Sequence, residues 1–152
     1  MNFWLFKTEP SELGIDDLER LGAKGACWDG VRNYQARNML RDGVKAGDGV
    51  FIYHSSCALI GIAGTARVIR EAYPDPSQFN PDSPYFDAAS KPEQPRWCAV
   101  DVRHERTFAQ VIPLAALKAN PALNELPLVQ KGSRLSVMPV TEAQWRAILK
   151  MT

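Results

Sequence analysis

The sequence predicts an α+β domain built on a small curved sheet or barrel, and three observations carry that expectation. Short stretches rich in β-forming residues alternate with short amphipathic helices. One strand-like stretch holds Gly61 and Gly64 in its interior, where glycine marks a bulge or a bend. The 152 residues show no internal repeat, low-complexity tract or linker, so residues 1–152 are expected to form one domain.

Asn2 to Thr8 opens the chain as a strand. Phe3, Trp4, Leu5 and Phe6 give the unbroken apolar run of a strand covered on both faces. Lys7, Thr8 and Glu9 bring polar groups to its end before Pro10 stops it. Ile15 to Leu21 forms a short helix, with Ile15 and Leu18 inward and Asp16 and Asp17 at the positive end of its dipole. Cys27 to Arg41, CWDGVRNYQARNMLR, is expected to be a turn and a helix, with Asp29 at the N-cap and Ala36, Met39, Leu40 and Gly43 as the core stripe.

Lys45 to Gly49 is turn chemistry leading into a strand from Val50 to His54. Leu59 to Arg70 is its antiparallel partner if Ser55 to Ala58 makes the hairpin. Tyr73 to Arg96 is interrupted by Pro74, Pro76, Pro81, Pro84, Pro92 and Pro95. Its aromatics Tyr73, Phe79, Tyr85 and Phe86 favour an ordered wrap over one side of the domain. Trp97 to Phe108 is a strand with Cys98, Val100, Val102 and His104 toward the core. Pro113 to Lys118 is a helix with proline at its start, and Leu135 to Val140 a short strand. Thr141 caps a last helix with Trp145, Ile148 and Leu149 as its core stripe.

Composition narrows the function. The net charge is +1 and the pI about 7.7, whereas strong non-specific duplex binding goes with a domain pI above roughly 9. Any nucleic-acid contact is therefore expected to be a local site with few phosphates and a shallow salt dependence. Cys27, Cys57 and Cys98 are odd in number and widely spaced, and His54 and His104 lie far apart, so neither a disulfide framework nor a metal site is expected. The N-terminus has neither a signal peptide nor a membrane span. A reducing, cytoplasmic setting follows for a bacterial chain, or a nuclear one for a eukaryotic chain.

The stretch from Cys27 to Arg41 carries the main binding signal. Asn33, Arg37 and Arg41 share one helix face, beside Arg32, Tyr34 and Asn38, with Trp28 as a large π-face nearby. Amide and guanidinium forks without a carboxylate suit phosphates and base edges, although such faces are more often simply solvated. Catalytic signatures are absent: there is no Gly-x-Ser-x-Gly, Walker-type loop or Rossmann fingerprint. His54 beside Ser55, Ser56 and Cys57 offers a base and nucleophiles, but adjacent residues on an extended chain point to opposite faces.

Seven segments resemble the EVE domain proteins along the whole chain: FKTEP (Phe6–Pro10), WDGVRNYQARN (Trp28–Asn38), YHSS (Tyr53–Ser56), GIAGTARVIREAYPDPSQF (Gly61–Phe79), SPYFD (Ser83–Asp87), PRW (Pro95–Trp97) and GSRLSVMPVT (Gly132–Thr141). The resemblance implies a PUA-like fold, a small curved β-barrel with flanking short helices. It also implies a non-catalytic module, similar to YTH-type readers, that binds modified DNA or RNA; no cofactor, metal or membrane is expected, and the oligomeric state is left open with a monomer favoured. By order along the chain it places the aromatic cage on Trp28 and Tyr73 and base-edge contacts on Thr8 and Glu9; Asn33, Ser55 and Ser56 are further candidates for hydrogen bonds to the base edge, and Asp29 and Tyr53 complete the expected pocket. The nucleic-acid backbone falls to Lys7, Arg32, Arg37, Arg134 and Ser136. The alternatives are an enzyme acting on a nucleoside-like compound through His54, and a protein-interaction scaffold using the proline-rich loop.

Overall fold

A computed structural model describes residues 1–152. The apolar run at the start becomes β1 (Phe3–Thr8), followed by the short helices α1 (Pro10–Leu13) and α2 (Ile15–Leu21), then β2 (Ala26–Trp28) and α3 (Tyr34–Asp42). β3 (Gly49–His54), β4 (Gly61–Pro74) and β5 (Cys98–Pro113) form the middle of the chain. α4 (Leu114–Ala119), β6 (Val137–Val140) and α5 (Glu142–Leu149) complete it. No helix is long and apolar enough to cross a membrane.

All six strands join one sheet in the order β2-β5-β4-β3-β1-β6. β1 and β3 run parallel, with Thr8 beside His54 at their common end; the other neighbours are antiparallel. The continuous hydrophobicity of β1 is explained by burial on both faces. Trp4 and Phe6 enter one apolar cluster, covered by Ile15 and Leu18 of α2 and Ala36 and Leu40 of α3. Leu5 enters a second, covered by Leu117 of α4 and Ile148 of α5.

The sheet is curled by its two longest strands. β4 and β5 shift register at Ile62/Gly64, Thr65/Ala66, Val68/Arg70 and Arg70/Tyr73, and each bulge bends the pair and increases its twist. Gly61 and Gly64 permit the close approach: a Cβ on either would collide with the backbone oxygen of Ile112 or Arg106. The curl brings the edge strands toward one interior, so Trp28 of β2 and Val137 of β6 share a cluster although the sheet stays open between them.

Several expected boundaries move, each for a tertiary reason. Cys27 and Trp28 are not a turn but two of the three residues of β2, paired with Asp101 and Val100. Asp29 is consequently not the helix cap; the chain needs five more residues to turn, and the Asn33 side chain caps α3 by accepting from the Ala36 N–H at 3.0 Å. β4 starts at Gly61 and continues through Tyr73 and Pro74, because these pair with Ala99 and Cys98. β5 runs on to Pro113 against the start of β4, leaving Ala99 as buried as Val100. Thr141 and Gln144 form the expected reciprocal cap of α5.

Gly64→Ala is expected to destabilise the protein by about 1–3 kcal/mol through overpacking at the β4–β5 approach. Urea unfolding checks this: the midpoint should fall while the m-value holds.

Candidate functional site

The two edges of the curled sheet leave a seam, and a cavity of about 570 Å3 opens there. That lies within the ~300–1,000 Å3 range of small-molecule sites. The ends of the parallel pair supply Lys7, Thr8 and Ser55. Arg134 and Ser136, ahead of β6, line one side; Trp28, Asp29, Gly30 and Val31, at and after β2, line the other. Glu9 comes from the N-cap of α1, Glu12 and Leu13 from its last two positions, and Ser83, Pro84 and Tyr85 from the proline-rich segment.

Backbone pairing sets this geometry. The Lys7 N–H donates to Ser136 O at 2.8 Å, and the Ser55 N–H donates to Thr8 O at 2.9 Å. The Thr8 hydroxyl donates to Leu13 O at 2.8 Å, so it can still accept from a ligand but has no free proton. Trp28 is 4% exposed and its ring is backed by Phe6 at 5.4 Å. Lys7 and Arg134 form no ion pair. Burial holds the Lys7 ammonium below the usual lysine range.

A buried carboxylate organises the far wall. Asp75, wholly buried, accepts from the Gly30 N–H at 2.9 Å, Arg32 Nη1 at 2.8 Å, the Ser77 N–H at 2.7 Å and the Ser77 hydroxyl at 2.5 Å. Burial alone would raise its pKa, but these hydrogen bonds and the Arg32 charge outweigh it and hold the carboxyl below the usual range. Arg32 commits all five of its N–H groups. Beyond Asp75 it donates to Val31 O, Ser77 Oγ and twice to Tyr85 O, at 3.1 and 2.7 Å. Gly30, at φ +81°, passes so close to the Tyr85 ring that a Cβ there would lie 2.8 Å from it. The Tyr85 hydroxyl donates to Glu12, and that bond, with burial, pushes its pKa up to about 12. Asp29, desolvated at the cavity wall and facing the Asp75 charge, is raised above the usual carboxylate range.

The cavity gathers Lys7, Thr8, Glu9, Trp28, Asp29, Ser55, Arg134 and Ser136 of the expected residues and leaves six elsewhere. Tyr73 is held away by its hydroxyl, which donates to Asp101 at 2.5 Å, and by Arg70 over its ring at 3.8 Å. Asn33 spends its side-chain oxygen on the helix cap. Tyr53 alternates to the second apolar cluster, and Ser56 occupies an exposed turn at φ +54°. Arg32 has no donor left for phosphate, and Arg37 donates to Arg96 O at 2.8 Å and to Asn38. His54 Nε2 accepts from the Ile15 N–H at 3.1 Å, which ties β3 to α2.

Sequence reading passed over Glu12, Leu13, Gly30, Val31, Ser83, Pro84 and Tyr85 as lining residues. The available signal was an aromatic between prolines in a long ordered loop: Tyr85 follows Pro84 in SPYFD.

A curled six-stranded sheet, short covering helices and a cavity in the seam define a PUA-like α+β fold. The EVE domain model matches residues 2–151, and the chain belongs to the EVE domain family. Thymocyte nuclear protein 1 of Mus musculus is 42% identical, over 99% of this chain and 73% of its own length. A crystal structure from Pseudomonas syringae is 54% identical, covers 98% of each chain and superposes with a TM-score of 0.95. Human thymocyte nuclear protein 1, solved in complex with DNA containing 5-methylcytosine, is 39% identical, with a TM-score of 0.89 over 99% of this chain and 97% of that one. A Zygosaccharomyces rouxii YTH domain shares the fold at 14% identity and a TM-score of 0.55, covering 99% of this chain and 85% of that one.

The two carboxylates give opposite pH signatures. The folded pKa of Asp75 lies below its unfolded value, so its contribution is present above the ordinary carboxylate range, about pH 4, and is lost as pH falls through the lowered value. The folded pKa of Asp29 lies above its unfolded value, so its contribution is present at low pH and is lost as pH rises through the raised value. Urea titrations between about pH 3 and pH 7 test both. Asp75→Asn should destabilise by about 3 kcal/mol at neutral pH, because Arg32 loses its buried partner, with the deficit shrinking in acid. Asp29→Asn should compare more favourably with wild type at neutral pH than in acid.

Proposed function

We infer that this chain is a non-catalytic nucleic-acid-binding module whose cavity takes up one modified nucleobase. The observation that carries the reading is a cavity of about 570 Å3, large enough to admit a nucleobase, walled by a buried indole and by polar groups, in a chain 39% identical to a human protein solved on DNA containing 5-methylcytosine. A base drawn from its stack must recover a few kcal/mol. Stacking on an aromatic returns about 1–3 kcal/mol, and each buried methyl adds roughly 0.8 kcal/mol. The ring of Trp28 supplies one stacking face, and Tyr85 takes the second aromatic role first expected of Tyr73.

The edge of the base meets Thr8, Glu9, Asp29 and Ser55. A carboxylate accepts from an exocyclic amine such as cytosine N4, and the Thr8 hydroxyl, its proton already used, accepts as well. Lys7, Arg134 and Ser136 hold the flanking phosphates; with two free cations the salt slope is about −0.9 per phosphate neutralised. His54 Nε2 is occupied in accepting from the Ile15 N–H, and His54 does not line the cavity, which favours recognition over turnover.

Binding of short DNA and RNA oligonucleotides carrying cytosine, 5-methylcytosine, 5-hydroxymethylcytosine or N6-methyladenine tests the reading. Wild type should prefer a methylated base about fourfold over its parent, the factor one buried methyl supplies. Tyr85→Ala and Trp28→Ala should each weaken binding by about 1–3 kcal/mol, and Trp28→Ala should also lower the melting temperature because the ring belongs to the core. Arg134→Gln should reduce the salt slope by about one, and His54→Ala should keep binding. A wild type without preference for any modified oligonucleotide overturns the reading.

A further inference from the structure

We propose that the α3 side of the proline-rich loop carries a second nucleotide subsite, a stacking platform at Tyr34 and Arg37 for a base that flanks the one held in the cavity. The inference rests on the base-binding reading and extends it along the strand. It comes from a continuous ladder of π and guanidinium groups. Tyr85, at the cavity, stands 5.6 Å from the Arg32 guanidinium; Arg32 stands 5.4 Å from the Trp97 ring; Trp97 stacks on Tyr34 at 4.7 Å and 23°; and the Arg37 guanidinium lies 4.8 Å from the Tyr34 ring.

The inner rungs are fixed. Trp97 is buried, its indole N–H donates to Asp87 at 2.8 Å, and Arg32 has no unused donor. The outer rungs are not. Tyr34, at the first position of the helix capped by Asn33, is 51% exposed, belongs to neither apolar cluster and rests on Trp97 at the surface. Arg37 has no carboxylate partner; it donates to Arg96 O at 2.8 Å and to Asn38 Oδ1 at 3.0 Å and keeps its charge unpaired, while the Arg96 guanidinium lies 3.9 Å from Asp87. An exposed ring beside an unpaired arginine is what a single-stranded segment requires: the base stacks on the ring or the guanidinium plane and the phosphate meets the charge. The ladder makes the platform rigid relative to the cavity, so a strand spanning both sites meets a preformed surface.

A length series tests this. The probe is a 5-methylcytidine nucleoside, then single-stranded DNA and RNA oligomers extended stepwise to about nine nucleotides around that base, a length within the site sizes of single-strand binding folds. In wild type, affinity should step up once the strand reaches Tyr34. Tyr34→Ala should abolish that step, a loss of about tenfold for the long oligomers, while nucleoside affinity and the melting temperature stay near wild type. Tyr34→Phe should restore the step, and Arg37→Gln should lower the salt slope by about one for long oligomers only. A length step that survives in Tyr34→Ala, with binding still weakened in Tyr85→Ala, overturns the platform and leaves the base-binding reading standing. A wild type that binds no probe of any length overturns both.

Discussion

The buried charge of Asp75 is the constraint on which the site depends. A carboxylate without solvent is tolerated only when it is paired and its lone pairs are filled. Asp75 meets both conditions with one guanidinium, two backbone N–H groups and one hydroxyl. Each donor brings a segment with it. Gly30 brings the chain leaving β2, Ser77 turns the chain leaving β4, and Arg32 reaches on to the carbonyl of Tyr85. The network converts a segment rich in proline, with little regular structure of its own, into a wall. Gln78 repeats the device nearby: fully buried, it donates to Asp75 O and Trp97 O and accepts from Ser90 and the Trp97 N–H.

The location of the cavity follows from how the sheet ends. Bulges in β4 and β5 curl the sheet until its edge strands face one interior, but β2 and β6 do not pair. The gap collects what the strand ends deliver: polar residues after the apolar runs of β1 and β3, and an indole at the end of β2. Trp28 therefore has two neighbours, packing against Phe6 in the core and lining the cavity. Trp28 belongs to the core as well as to the cavity wall, whereas Tyr85 and Tyr34 lie outside both core clusters.

The cavity is mixed in charge, with Lys7 and Arg134 opposite Glu9, Glu12 and Asp29. Such a site suits a neutral, polar, planar group flanked by phosphates, where discrimination comes from fit and hydrogen bonding more than from attraction at a distance. The near-neutral net charge of +1 is consistent with that division: little of the affinity is spread over the surface.

Much of the fold was legible because it rests on local rules. The apolar run of β1, the bends at Gly61 and Gly64, the reciprocal cap at Thr141 and Gln144, and the ordered aromatics of the proline-rich wrap follow from period, backbone freedom and capping chemistry. The same local reading found Trp28 and the polar ends of β1 and β3. Tyr73, Arg32 and Asn33 do not line the cavity, because each satisfies a partner that only the folded chain supplies: Asp101 across the sheet for Tyr73, Asp75 forty-three residues away for Arg32, and the turn made necessary by β2 for Asn33. Side-chain type tells what a residue is able to bind. Which groups remain unspent when the fold has taken its share depends on long-range pairing. The sequence by itself determined the domain's elements and the chemical character of its binding face; the tertiary structure alone decided that Tyr85 and not Tyr73 closes the cavity, because every buried donor and acceptor must first find its partner.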